Sequence, residues 1–250
     1  MFEYLKLFVS ALRSLVAYFS VAFYVLVVAP PGMALALFLG RPNILYWLGR
    51  GGARLGMATV GINYQVTGLE HVRADRPTVY CVNHASNVEP PILFMALHSV
   101  HPRLKILYKA ELRRVFPVLR RAFDIAGFVP IERGNRDRSM QAIDAAALSL
   151  RQGNSFLIFP EGTRSRTGKL LAFKKGGFVM AIKGKSDIIP MAIQGSSSAM
   201  RKGSPVIHPV TVRVRLGKPI ETNGLSLDER DELIKRTRSE VRRLLEQNQD

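Results

Sequence analysis

The sequence predicts an α/β protein: a single domain with a mixed central sheet flanked by helices, preceded by an N-terminal membrane-embedded helical hairpin. Three observations point there. From residue 62 onward, short β-rich apolar runs alternate with helical stretches, the order expected of one α/β domain. Residues 14–40 carry no charge at all. The chain has 250 residues, 47% hydrophobic and 22% charged, enough to bury one sizeable core. The division is placed between residues 1–55, a two-helix membrane anchor, and residues 56–250, the α/β domain.

The N-terminal stretch comes first. Residues 15–29 are almost wholly apolar, Pro30 and Pro31 come next, and residues 32–39 are apolar again up to Gly40. A single membrane span needs about 20 apolar residues, and a Pro-Pro pair breaks a helix or starts a new one. A single span over residues 14–33 and a hairpin bent at Pro30 and Pro31 both fit the length. Basic residues flank both ends, Lys6 and Arg13 before, Arg41, Arg50 and Arg54 after. Positive charge on both sides favours both ends on the cytoplasmic face, and hence the hairpin. A buried helix pair in a soluble protein is the competing reading. A cleaved signal peptide fits poorly, because the apolar character begins late and runs too far.

The α/β elements come in order after it. Residues 62–66 alternate like a strand, and residues 78–82 form a short buried strand. Residues 92–97 read as a helix, with Pro90 as its first residue and Glu89 near the cap. Residues 127–134 are strand-like, residues 139–152 an Ala/Leu-rich helix, and residues 155–159 a second buried strand. Residues 188–193 form an apolar strand containing Pro190, and residues 211–216 alternate. A last amphipathic helix is expected from Ser226, with Glu229 completing a capping box and Leu233, Thr237, Val241, Leu244 and Leu245 as its inward stripe.

Thirty-six basic against 19 acidic residues give a formal charge of +17. Such a field attracts nucleic acid, an anionic membrane surface or an acidic carrier protein, and charge alone does not choose. Aromatics are not interleaved with the basic residues, and no zinc-finger or helix-turn-helix pattern is present, so nucleic acid is not the expected partner. Cys81 is the single cysteine, which excludes an internal disulfide. His71, His84, His98, His101 and His208 form no ligand-like cluster, so no metal is expected.

Two loops carry chemistry. The strand at 78–82 runs into Asn83-His84-Ala85-Ser86-Asn87-Val88-Glu89. His84 and Glu89, five apart, would lie about 140° around a regular helix. A loop that folds back brings them together, and an imidazole held by a carboxylate is a general base for a hydroxyl. A surface histidine beside a capping acid is the plainer alternative. The strand at 155–159 runs into Pro160-Glu161-Gly162-Thr163-Arg164-Ser165-Arg166, a Gly- and Arg-rich loop suited to phosphate, with Lys169, Lys174 and Lys175 adding charge. A solvated basic turn is its alternative. No Walker motif and no G-x-S-x-G elbow occur, so nucleotide hydrolysis and serine-hydrolase chemistry lack support. Cys81 reads as core and Ser86 as a loop hydrogen-bonder.

Four segments together resemble the glycerolipid acyltransferase family, in its lysophosphatidic acid acyltransferase (1-acyl-sn-glycerol-3-phosphate acyltransferase) branch: Asn83-His84 through Glu89-Pro90, residues 127–133, Phe159-Pro160-Glu161-Gly162-Thr163-Arg164-Ser165, and Ile189-Pro190-Met191-Ala192-Ile193. Their order over about 110 residues argues against coincidence. The resemblance implies His84 as general base and Glu89 as its partner, where the family has aspartate. The extra methylene carries this carboxylate about 1.5 Å further from its backbone. It also implies Arg133, Glu161, Gly162, Thr163 and Arg164 as acceptor contacts, and Lys109 as a phosphate neighbour.

The reaction that the resemblance implies is acyl transfer from acyl-CoA or acyl carrier protein to the sn-2 hydroxyl of 1-acyl-sn-glycerol-3-phosphate, giving phosphatidic acid. No cofactor and no covalent enzyme intermediate are expected. The chain would sit on the cell membrane, anchored in one leaflet, with its site facing the cytoplasm. The same chemistry on a lyso-ornithine lipid or glycerol-3-phosphate, or a non-catalytic basic protein binding membranes or nucleic acid, are the competing readings.

Overall fold

The short apolar runs form strands because their alternate residues find two separate cores. The computed structural model describes residues 2–41, 43–115, 117–132 and 134–247. In chain order the elements are α1 (Phe2–Phe23), a π-helical turn (Tyr24–Val28), α2 (Ala29–Phe38), α3 (Asn43–Val60), β1 (Ile62–Thr67), β2 (Thr78–Val82), α4 (Glu89–Ala96), β3 (Leu104–Lys109), α5 (Leu112–Val115), α6 (Pro117–Ile125), β4 (Val129–Ile131), α7 (Arg136–Arg151), β5 (Ser155–Ile158), α8 (Gly176–Gly184), β6 (Asp187–Gln194), α9 (Ser196–Ala199), β7 (Val210–Leu216) and α10 (Arg230–Glu246).

Among the described residues, seven strands form one mixed sheet in the order β1-β7-β6-β2-β5-β3-β4. β6, β2, β5, β3 and β4 run parallel. β7 is antiparallel to β6, and β1 parallel to β7. Along β2, Tyr80 and Val82 pack on one face with Leu157, Ile189, Met191 and Leu93. Val79 and Cys81 pack on the other with Phe156, Ile188, Phe178 and Leu150. A strand covered on both faces reads as a continuous apolar run, as residues 78–82 do. β3 is an addition to the strands expected from the sequence: Lys105 and Lys109 interrupt its apolar pattern.

Pro190 sits in an interior strand without breaking it. The N–H of Ile188 donates to Ile220 O and that of Gly217 to Pro190 O, while the β6–β7 register begins only at Met191 opposite Leu216. The proline therefore falls where the neighbouring strand leaves the ladder and no donor is needed.

The N-terminal region corrects the sequence reading. The bend is not at Pro30 and Pro31. α1, the π turn and α2 run on as one apolar helix from Glu3 to Phe38. The N–H of Ala29 bonds to Tyr24 O, five residues back, and the prolines occupy the opening positions of α2, where the widened turn spares the bonds they cannot make. The reversal comes at Gly40, at φ +61°. There Gly40 N–H bonds to Leu37 O and Arg41 N–H to Ala36 O, a Schellman termination that favours glycine. α3 then returns along α1 and α2. A Cβ on Gly51 would lie 2.6 Å from Tyr24 Oη, so that glycine is what lets the two helices approach. α3 also runs through the expected boundary at residue 55.

The last helix begins four residues later than expected. Glu229 reaches back to the N–H of Ser226 at 2.8 Å, but Ser226 Oγ donates to the same carboxylate at 3.0 Å instead of capping the helix. α7 begins earlier than read, because Asn135 Oδ1 accepts the Arg138 N–H and caps it.

Candidate active site

Parallel strands deliver their carboxyl ends to one edge of the sheet, the usual place for a site in open α/β sheets. Here β2 leads into His84, β5 into the loop from Phe159 to Ser165, β6 into Ser196, and β3 ends at Lys109. Segments scattered over more than 100 residues of sequence thus meet beside β2.

His84 and Glu89 form a direct pair, Nδ1 to Oε2 at 2.6 Å. The loop between them folds because Asn83 bonds twice to β6, Nδ2 to Ile193 O at 3.0 Å and Oδ1 from Ile193 N at 2.8 Å. Ser86 Oγ donates to Met200 O. Glu89 opens α4 and turns its carboxylate back onto the loop. Oε1 accepts from the N–H groups of Ala85 at 2.9 Å and Ser86 at 3.0 Å and from Ser196 Oγ at 2.5 Å. The Glu89 side chain is 0% exposed and that of His84 17%. With three donors on the carboxylate, Oε2 is left to accept from Nδ1–H. That tautomer leaves a lone pair on Nε2, which has no partner among the described residues. The ring stacks on Phe159, centroids 4.1 Å apart, which fixes its plane. The glutamate's extra methylene is thus accommodated: its reach lets one carboxylate hold the ring and the loop together.

The second loop is tied to the first through its backbone. Glu161 Oε1 accepts the His84 N–H at 2.7 Å and Oε2 the Leu171 N–H at 2.9 Å, while Ser165 N–H donates to His84 O at 2.8 Å. Burial pushes the Glu161 carboxyl above its usual range, and the two N–H donors pull it back in part. Both Glu161 oxygens are occupied by backbone, so in this arrangement it holds the main chain of His84 and Leu171. Ser165 Oγ is buried without a partner among the described residues.

The remaining expected residues are more open. Lys109 ends β3, two strand spacings or ~10 Å from β2, half-exposed and paired with Glu111 at 3.1 Å. Lys174 packs over Gly162. Thr163 Oγ1 and Arg164 O both accept from Lys202 Nζ, at 3.3 and 2.9 Å. The Arg164 side chain has no partner among the described residues. Arg133 lies outside the described residues. Sequence reasoning missed Ser196 and Lys202, which reach the site only because β6 lies beside β2. The triple serine after Gln194-Gly195 is their one local signal. Among the described residues, no group of three or more His, Cys, Asp or Glu is placed to hold a metal ion.

The family model described as Acyltransferase matches residues 63–194. A 1-acyl-sn-glycerol-3-phosphate acyltransferase of Limnanthes douglasii is 31% identical over 176 residues, 70% of this chain and 60% of that protein. One from Saccharomyces cerevisiae is 27% identical over 211 residues, 83% of this chain and 68% of that protein. The chain thus spans about 60% of the length of the plant relative it matches. The crystal structure of the 1-acyl-sn-glycerophosphate (LPA) acyltransferase PlsC from Thermotoga maritima shares the fold, with TM-score 0.80 over 96% of this chain and 98% of that one at 22% identity.

Proposed function

This chain belongs to the acyltransferase family, and we propose that it transfers a fatty acyl group from an acyl thioester to the sn-2 hydroxyl of 1-acyl-sn-glycerol-3-phosphate, giving phosphatidic acid. The observation that carries the reading is the His84–Glu89 pair at 2.6 Å, with Nε2 unclaimed among the described residues. Relatives named for this activity support the choice of acceptor.

In the proposed reaction Nε2 takes the proton from the acceptor hydroxyl as its oxygen attacks the thioester carbonyl. The tetrahedral intermediate then collapses, the C–S bond breaks, and the thiolate leaves with the proton returned from the imidazolium. Glu89, held by three other donors, stabilises the imidazolium without moving. Arg164, Lys109 and Arg133 supply positive charge for the acceptor phosphate, which would fix the hydroxyl against the base. The donor is acyl-CoA or acyl carrier protein, both polyanions suited to a chain of charge +17.

The substrate stays in a bilayer, and the N-terminal helices would place the chain there. Phe8, Phe19, Phe23 and Phe38 are at least 65% exposed. So large an apolar face fits a membrane surface better than water. Trp47, exposed with the Arg50 guanidinium 5.5 Å from its ring, suits the headgroup level. The proposed location is one leaflet of the cell membrane, with the site facing the cytoplasm.

The test is acyl transfer from oleoyl-CoA to 1-acylglycerol-3-phosphate in detergent micelles, wild type against His84→Ala. The substitution is expected to cost about 10²–10⁴-fold. A folded wild type inert on this pair, or a His84→Ala variant as active as wild type, would sink the proposal.

A further inference from the structure

The segment between β6 and β7 carries an open cleft of about 480 Å³ lined by Ser198, Arg201, Ser204, Val206 and His208, the first two exposed. Its polar groups are those that meet an oxyanion: one guanidinium, two hydroxyls, one imidazole. No carboxylate lines it, and residues 188–220 contain no acidic residue. The Arg201 guanidinium has no partner among the described residues. Ser204 Oγ accepts from the Val206 N–H at 3.1 Å, which leaves its proton to donate. The volume is right for a headgroup and larger than a bare phosphate needs.

Its position adds to the case. The segment is clasped to α1: Ser14 Oγ accepts from Ile207 N at 2.8 Å, and Tyr18 Oη donates to Pro205 O at 2.7 Å. Arg13 of α1 lies beside Pro209 and Gly61. The pocket thus adjoins the helix with the exposed apolar face. It also lies past β6, on the opposite flank of β2 from β3 and Lys109, and Lys202, next to Arg201, joins the segment to the Arg164 loop.

We propose that this pocket binds the phosphate of an anionic phospholipid in the bilayer carrying the chain, an inference that rests on the membrane placement above. Arg201 would hold the phosphate through its planar fork, with Ser198, Ser204 and His208 completing the cradle and Val206 facing the glycerol. Bound lipid would brace the segment whose inner end, through Ser196 and Met200, holds Glu89 and Ser86.

Two measurements on the full chain test it. Co-sedimentation with vesicles compares neutral phosphatidylcholine with a mixture containing phosphatidylglycerol, using wild type, Arg201→Ala and, as a charge-matched control, Arg236→Ala on α10. The expected result is binding to neutral vesicles by all three. Phosphatidylglycerol should then tighten wild type and the control about tenfold more than Arg201→Ala. Equal tightening of Arg201→Ala would overturn the pocket and leave the membrane placement standing; no binding to any vesicle would overturn that placement. NMR of the His208 ring in dodecyl maltoside micelles decides the site itself. Dihexanoyl-phosphatidylglycerol should give a saturable shift in wild type that Arg201→Ala loses. No shift refutes the site, and an equal shift from inorganic phosphate at matched ionic strength refutes a lipid ligand.

Discussion

Replacing Glu89 by glutamine removes a charge and reverses half of the hydrogen bonding around it. Four donors now converge on two carboxylate oxygens: His84 Nδ1 at 2.6 Å, Ala85 N–H at 2.9 Å, Ser86 N–H at 3.0 Å and Ser196 Oγ at 2.5 Å. Glutamine has one acceptor oxygen and one NH₂. With the oxygen toward the ring, the NH₂ opposes two backbone N–H groups at a buried site. Each unmatched group costs about 1–3 kcal/mol, so this arrangement loses about 2–6 kcal/mol. With the oxygen toward the backbone, the NH₂ faces Nδ1, which must then offer its lone pair, and the ring proton moves to Nε2. The second arrangement costs less and puts the proton on Nε2, the atom proposed to accept one. The expected result is a fall in kcat of roughly 10³–10⁴-fold with KM within about twofold, the size seen when a buried acid no longer sets its histidine's tautomer. The assay is thiol release from acyl-CoA with 1-acylglycerol-3-phosphate as acceptor, alongside thermal unfolding to show the variant folded. A variant keeping more than a tenth of wild-type kcat, or one whose loss lies in KM, would refute the reasoning.

Single contacts elsewhere lead to further expected outcomes. Ser196→Ala removes one donor from the buried Glu89 carboxylate and is expected to lower kcat about tenfold, with Ser196→Thr keeping most of the activity; equal loss in both variants would assign Ser196 to packing alone. Burial, with Arg50 and His98 adding to it and the Phe94 backbone opposing in part, pushes His101 down to about 4. A lowered folded value means stability present above about 6.5 and lost as pH falls through about 4. Wild type should therefore lose Tm relative to His101→Phe between pH 6.5 and 4, and parallel Tm curves would contradict this. Burial raises the Cys81 thiol well above its usual value, so iodoacetamide at pH 8 should label the native chain far more slowly than the guanidinium-unfolded one; rapid native labelling would reopen Cys81 as a nucleophile.

Much of the fold was legible because burial on two faces writes itself as short apolar runs. Residues 78–82 are a strand from the first to the last residue, and the run expected at 155–159 is one as far as Ile158. Segments whose pattern is mixed were not. The two lysines of β3 hid it. Pro30 and Pro31 suggested a bend, but a π turn absorbs their missing donors while Gly40 makes the reversal.

The sequence by itself determined the residue types and their order along the chain: a histidine five before a glutamate after one strand, and a Gly- and Arg-rich loop after another. Tertiary structure decided what those residues do to one another. Spacing cannot say that Glu161 grips the backbone of His84, or that Ser196, 107 residues from Glu89, completes its shell of donors. Those bonds exist because β5 and β6 flank β2 and end on the same edge. Strand order is set by packing over the whole sheet, and no local stretch of sequence encodes it.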